Sequence, residues 1–274
     1  MDAYSYIERR EKALSEWERG RILKERMLFR RMMNLILDPI GRSVWTSVGD
    51  EMNAVLLLVA RLFNDFEAAM RLTLMGLGEQ AYMPMRDSIE TTLLLKLFSV
   101  EGKLASRWMK NLNEYRATSV IARLKEHDID LPLNDMYSMY SQLVHPNIVA
   151  SMHVVEEIDC AEDQVLQRYH FGGMRNEGFI ELQAKSILTL QITSLIMALG
   201  DIYVNIHPEF ESWWDEVRAL PATLRQELGL DIELQEGESL DHIGRKIALK
   251  LNIEAFNARL VGHTESDPPP KSGS

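Results

Sequence analysis

A single cysteine, Cys160, stands among the 274 residues, which excludes an intrachain disulfide framework and a structural Cys-rich zinc module. Glycine and proline are also scarce, at 15 and 9 residues, below their share of an average globular chain. That excludes a collagenous or broadly low-complexity chain and leaves room for long helices. Basic residues are outnumbered, 30 against 41 acidic ones, for a formal charge of −11. That balance argues against broad nonspecific attraction to nucleic acid or anionic lipid, and general DNA binding is not expected, although a local basic patch is compatible with it. Long apolar runs are few. The stretch from Ala54 to Phe63 is interrupted by Arg61 and is too short to cross about 30 Å of hydrocarbon. The stretch from Ser186 to Gly200 carries Thr189, Gln191, Thr193 and Ser194 and lies between Lys185 and Asp201. Both read as buried core helices, and no membrane contact is expected. The N-terminus begins Met1-Asp2-Ala3-Tyr4, without the apolar segment of a secretory signal. With the lone cysteine, this leads us to expect a reducing, cytoplasmic setting.

What is present is helical periodicity. Apolar residues make up 46% of the chain, enough for a sizeable core. Leu14, Trp17, Ile22, Met27, Met33, Ile36 and Leu37 mark a long amphipathic helix from Ala3 to Leu37. It is expected to stop before Asp38-Pro39, because a residue preceding proline disfavours the helical conformation. Further helices are expected from about Asp50 to Met75, closed by Gly76-Leu77-Gly78, from Glu79 to Ser99, from Lys103 to about His127, and from Met136 to His145. Pro84 is tolerable near a first turn, Asn134 or Asp135 would cap the fourth of these helices, and Pro146 would end it. Regularity fails between Asn147 and Gly178, where Gln167 to Gly173 reads as a short hairpin or an ordered loop. A long buried helix from Phe179 to Ile206 follows, then short helices near Glu209–Ala219 and Ala222–Leu228, and an amphipathic one near Leu240–Leu260. The expected architecture is an all-α helical bundle. Residues 1–45 form an N-terminal helical arm, 46–207 the bundle core with an irregular insert at 147–178, 208–263 an acidic helical region, and 264–274 a disordered tail.

Charge is uneven along the chain. Arg19, Arg21, Lys24, Arg26, Arg30 and Arg31 face a single acid, Glu25, whereas ten acids face two arginines between Glu209 and Asp241. The basic stretch either binds RNA, docks on the acidic region of a second copy, or simply faces water, as helical charge runs commonly do. Phosphate-loop, dinucleotide and serine-hydrolase signatures are missing. None of the seven histidines has a glutamate three residues before it, so the di-iron bundle pattern is missing as well. His145 and His153 are separated by Pro146, which interrupts any helix that would align them on a metal. No metal and no cofactor are expected.

Two segments could carry chemistry. Met83, Arg86, Glu90, Leu94 and Leu97 fall within about 80° of one another on a helix, which places an Arg–Glu pair in an apolar stripe where each charge needs a partner. Tyr137, Ser141 and His145 are spaced four apart and form one polar row flanked by Tyr140 and Val144. His145 sits where proline ends the helix, and the helix dipole there favours its protonated form. An imidazole beside a guanidinium is the minimum equipment for metal-independent acid–base phosphodiester chemistry. The same groups equally serve as a buried network that fixes helix packing.

The run Met85-Arg86-Asp87-Ser88-Ile89-Glu90, the later Ala105-Ser106-Arg107-Trp108 and the Tyr/Ser-rich segment from Tyr137 to His145 resemble a bacterial family of helical proteins of the HEPN-like class. The resemblance covers roughly Glu51 to Ile206. It implies a helical bundle, a homodimer, and a role in bacterial stress, toxin–antitoxin or antiphage systems, as a ribonuclease or as a nucleotide-binding partner. The class signature places an arginine four to six intervening residues before the histidine. Here the position five before His145 is Tyr140, followed by Ser141, so the signature arginine is missing, and Arg123 precedes His127 with only three residues between. Two functions follow as expectations. One is an interaction module whose partner is a protein, with a structural Arg86–Glu90–His145 network. The other is a metal-independent endoribonuclease with His145 as acid or base, Arg86 stabilising the phosphorane, Tyr140 or Ser141 positioning the phosphate, and the Arg19–Arg31 stretch steering RNA.

Overall fold

The computed structural model describes residues 22–42, 49–110, 115–129, 133–144, 155–160, 164–169 and 177–228. Helices dominate them: α1 (Leu23–Arg42), α2 (Asp50–Leu74), α3 (Gly78–Val100), α4 (Lys103–Trp108), α5 (Ala117–Glu126), α6 (Leu133–Val144), α7 (Glu177–Ser194), α8 (Gly200–Tyr203) and α9 (Phe210–Leu228). A two-stranded antiparallel hairpin, β1 (Val155–Cys160) with β2 (Gln164–Tyr169), is the strand structure among the described residues, with Val155 opposite Tyr169 and Cys160 opposite Gln164. The fold is an all-α bundle with this hairpin added between α6 and α7. The hairpin lies earlier than the expected segment at Gln167 to Gly173, of which residues 170–173 lie outside the described residues.

Helix α2 shows why the sequence builds a bundle. Val55, Leu58, Val59, Leu62, Phe66, Ala69, Met70 and Thr73 recur at three- and four-residue steps and are all buried. It ends as expected. Gly76, at φ 73°, takes the left-handed position, and the Leu77 N–H donates to the Leu72 carbonyl at 2.8 Å, the pattern of a glycine-terminated helix. Helix α3 is buried on several faces, from Ala81 and Met85 through Leu93, Leu95 and Phe98, because neighbours surround it. Helix α7 is similar. Its polar residues Ser186, Thr189, Thr193 and Ser194 donate to the carbonyls four residues back, which satisfies hydroxyls inside a dry core. The Ser194 and Thr92 hydroxyls meet at 2.7 Å across the α3–α7 contact. By length and composition, Ile180–Tyr203 would pass as a membrane span, but 94% of its apolar window is buried inside the bundle. A core helix passes the same test.

Several boundaries differ from the sequence expectation, each for a physical reason. Helix α1 runs through Pro39 to Arg42. Proline has no N–H for the Leu35 carbonyl, and the Trp213 indole N–H donates to that carbonyl instead, at 3.0 Å. The Tyr203 hydroxyl donates to the next carbonyl, Ile36, at 2.6 Å. The stretch expected as one helix from Lys103 to His127 is two, α4 and α5, and Trp108 and Tyr115, one on each side of the break, both set ring edges against Phe98, at 6.2 and 6.1 Å. Helix α6 begins at Leu133, so Asn134 and Asp135 lie within its first turn and not at its cap. The buried helix beginning at α7 reaches Tyr203 through a π turn at Leu195–Leu199. Helix α9 continues through Pro221 as one element where two were expected. Residues 240–260, read as a final helix, lie outside the described residues, as does the tail.

Candidate functional site

The site is a polar seam where α6 lies on α3. Arg86 and Glu90 stand one turn apart on α3, and Arg86 Nη2 donates to Glu90 Oε1 at 2.7 Å. The same nitrogen donates to the Tyr137 hydroxyl oxygen at 2.9 Å, and Nε donates to Ser141 Oγ at 3.1 Å. Tyr137 and Ser141 are one turn apart on α6, so a single guanidinium ties two successive turns of that helix to α3. The guanidinium also lies over the Tyr137 ring, 5.1 Å from its centre, a cation–π contact. Burial alone would lower the Arg86 pKa. The Tyr137 hydrogen bond and the Glu90 charge outweigh it, so the group is held above its ordinary value.

The expected apolar stripe is only partly buried. Met83 is 56% exposed, the Arg86 and Glu90 side chains are about one quarter exposed, and Leu94 and Leu97 are buried. The row therefore descends from the surface into the core, and the ion pair sits at the level where water still reaches it. Tyr140 does not join the row. It is buried in the core, its ring centre 5.7 Å from that of Tyr82, and its hydroxyl bonds Ser186. Burial drives its pKa far up, which suits a packing residue. His145 lies outside the described residues.

Two charges adjoining the seam have no counterpart in the sequence reading. On α2, Arg61 lies 3.7 Å from Asp65 and 3.6 Å from Asp87 of α3. These are ion-pair distances and not hydrogen bonds. Asp65 Oδ2 is buried without a hydrogen bond. Burial pushes the Asp65 carboxyl up to about 7, with Arg61 opposing the shift and Asp87 and Glu90 adding to it. The sequence did hold a signal for this pair: Arg61 and Asp65 are spaced four apart on a helix otherwise apolar on that side, the same pattern that marked Arg86 and Glu90.

The other candidates separate. Arg123 and His127 belong to a surface cluster with Glu101. Arg123 donates to both Glu101 oxygens at 2.7 Å, and His127 Nε2 lies 2.8 Å from Oε1. The Arg123 hydrogen bonds, then that of His127, hold the Glu101 carboxyl down at about 2. Of the basic stretch, Lys24 and Arg30 are exposed and Arg26 is half-buried, while Arg31 pairs with Glu216 of α9 at 2.8 Å. Arg42 reaches Glu209 at 2.7 Å. Helix α1 thus meets the acidic C-terminal helix within the same chain. Arg19 and Arg21 lie outside the described residues. Among the described residues, no three His, Cys, Asp or Glu side chains gather as a metal site.

No family model, no curated protein and no solved structure matches this chain.

Proposed function

We propose that this protein is a helical interaction module of HEPN-like architecture, working as a homodimer in bacterial stress or defence. The supporting observation is how Arg86 is used. Three of its N–H groups hold Glu90, Tyr137 and Ser141 in place, so the guanidinium fixes α6 on α3 and gives the bundle one packing register. Residues in such a network are tuned for position, and removing one strands the others.

The second reading, a metal-independent endoribonuclease, draws on one observation. Arg86 reaches Ser141, which lies four residues before His145 in the sequence. One assay decides between the two: RNA cleavage in excess chelator by wild type and by His145→Ala, with the fold of each checked by circular dichroism. The interaction module predicts no cleavage by the folded wild type. Chelator-resistant cleavage lost only in the variant would overturn it in favour of the ribonuclease.

A further inference from the structure

Helix α1 carries a second ordered face, opposite the one it buries. Its exposed residues Leu23, Met27, Arg30, Asn34, Leu37 and Gly41 follow alternating steps of four and three, the spacing of a coiled-coil seam. On a helix they fall within about 80° of one another, on the side away from the buried Leu28, Met32, Leu35 and Ile36. Leu23, Met27 and Leu37 are 55%, 64% and 40% exposed, three of the nine large apolar side chains that the described residues leave exposed. Apolar side chains in a line, unlike scattered ones, mark an interaction surface. Helix α1 precedes the segment from Glu51 to Ile206 that resembles HEPN-like proteins, so the resemblance implies nothing about this face. The order of residues along the seam is self-complementary in the antiparallel sense. When two copies meet about a two-fold axis beside residue 32, Met27 faces Leu37, Arg30 faces Asn34 and Leu23 faces Gly41 of the other copy, and each pairing occurs twice. Nothing lies within 4 Å of where a Cβ on Gly41 would stand, which leaves room for the Leu23 side chain. Arg30 donates and the Asn34 amide oxygen accepts. Lys24 flanks the seam, exposed and without an ion pair among the described residues. The pairing brings it to Asp38 of the other copy, whose side chain is 32% exposed. The two Arg31 side chains come near the axis, each already paired with Glu216 at 2.8 Å. A parallel pair would instead set Arg30 on Arg30 and Lys24 on Lys24, and like charges in opposition disfavour it.

We propose that the outer face of α1 binds a second copy of this chain as an antiparallel helix pair. This rests on the homodimer of the interaction-module reading and gives it a surface. The test is sedimentation velocity of the full chain over a concentration series, comparing wild type with Met27→Glu, the fold of each checked by circular dichroism. Met27 is 64% exposed, so its replacement leaves the core intact, and symmetry places the change at two sites. The dimer is expected to weaken about a hundredfold or more, about tenfold for each lost apolar contact. Direction is read with a short bismaleimide cross-linker in a Cys160→Ser background. Residues 27 and 37 of one copy are about 15 Å apart along the helix, beyond the reach of the linker. Met27→Cys/Leu37→Cys should therefore form a covalent dimer, and neither single variant should. A dimer unchanged in folded Met27→Glu would overturn the α1 face while leaving the homodimer to another surface. Cross-linking of a single variant would overturn the antiparallel register. A monomeric wild type would overturn the pairing and the homodimer together, and a Met27→Cys thiol shielded in that monomer would show another part of the same chain on the face. RNA cleavage, read in a separate assay, would overturn the module reading and not the pairing.

Discussion

Asp65 shows how one side chain can carry an electrostatic cost. Its folded-state pKa is raised to about 7 from an ordinary 3.8, with burial the largest cause. The folded protein therefore holds this proton more tightly than the unfolded chain does. Between about pH 4 and pH 7 the residue's contribution to stability falls as pH rises, and above that window the cost is constant. Asp65→Asn should remove it. The variant is expected to be more stable than wild type at pH 8, by about 1–2 kcal/mol once partial exposure is allowed for, with the gain shrinking toward pH 4. Urea denaturation at several pH values measures this, and a variant destabilised equally at all of them would contradict the account. Arg86 and Glu90 were legible in the sequence because their spacing put two charges on a line with apolar residues. Their tie to Tyr137 and Ser141 was not, since it depends on where α6 lands across α3. Tyr140 misled for the same reason: it neighbours the polar row, yet helix packing turns it toward Tyr82 and Ser186.

Helix α1 shows local and tertiary rules in competition. Pro39 should end it, but the Trp213 N–H and Tyr203 hydroxyl bond the carbonyls around the proline. His207 adds to this. The Glu209 backbone N–H donates to its Nδ1 at 2.9 Å, so Nε2 carries the hydrogen directed at Asp38, 3.1 Å away. Trp213→Phe should leave the buried Leu35 carbonyl without a donor and cost about 1–3 kcal/mol. In a Pro39→Ala background, residue 39 supplies its own N–H and the cost of Trp213→Phe should shrink. A thermal-denaturation cycle checks this, and equal costs in both backgrounds would contradict it. At the start of α8, a Cβ on Gly200 would lie 2.7 Å from Trp214 Cζ3 and 3.0 Å from Cη2. Trp214 is also stacked against Trp213 and Phe210 and has little room to retreat. Gly200→Ala is expected to destabilise by about 1–3 kcal/mol, read from the urea midpoint. Helix α5 offers the opposite case. Asp128 adopts φ 58° where the Ile129 N–H closes onto the Leu124 carbonyl at 3.0 Å. Asp128→Gly should relieve the strain of that left-handed position and stabilise by about 1 kcal/mol. A lower melting temperature would refute it. Glycine-marked ends such as Gly76 were readable from sequence. Continuity through Pro39 and Pro221 was not, because a single proline reads as a stop until its neighbours are known.

Over the whole molecule, one hydrophobic cluster runs from Leu28 of α1 to Leu228 of α9. The basic and acidic ends of the described chain are therefore packed on a common core, and Arg31–Glu216 and Arg42–Glu209 lie at its surface. Such exposed pairs contribute little to stability, and apolar burial does most of the work of docking α9 on α1. The all-α class was legible because long apolar-periodic segments with few glycines and prolines leave few alternatives. The mutual placement of α1, α3, α6 and α9 was not, since it is set by contacts between residues over fifty positions apart. If Arg86 locks α6 onto α3, Arg86 and Tyr137 must be energetically coupled, which a double-mutant cycle on Arg86→Met and Tyr137→Phe measures. Equilibrium urea denaturation of wild type, the two single variants and the double variant should give a coupling of about 1 kcal/mol or more, as for groups sharing one network. Additive effects, within about 0.3 kcal/mol, would contradict it.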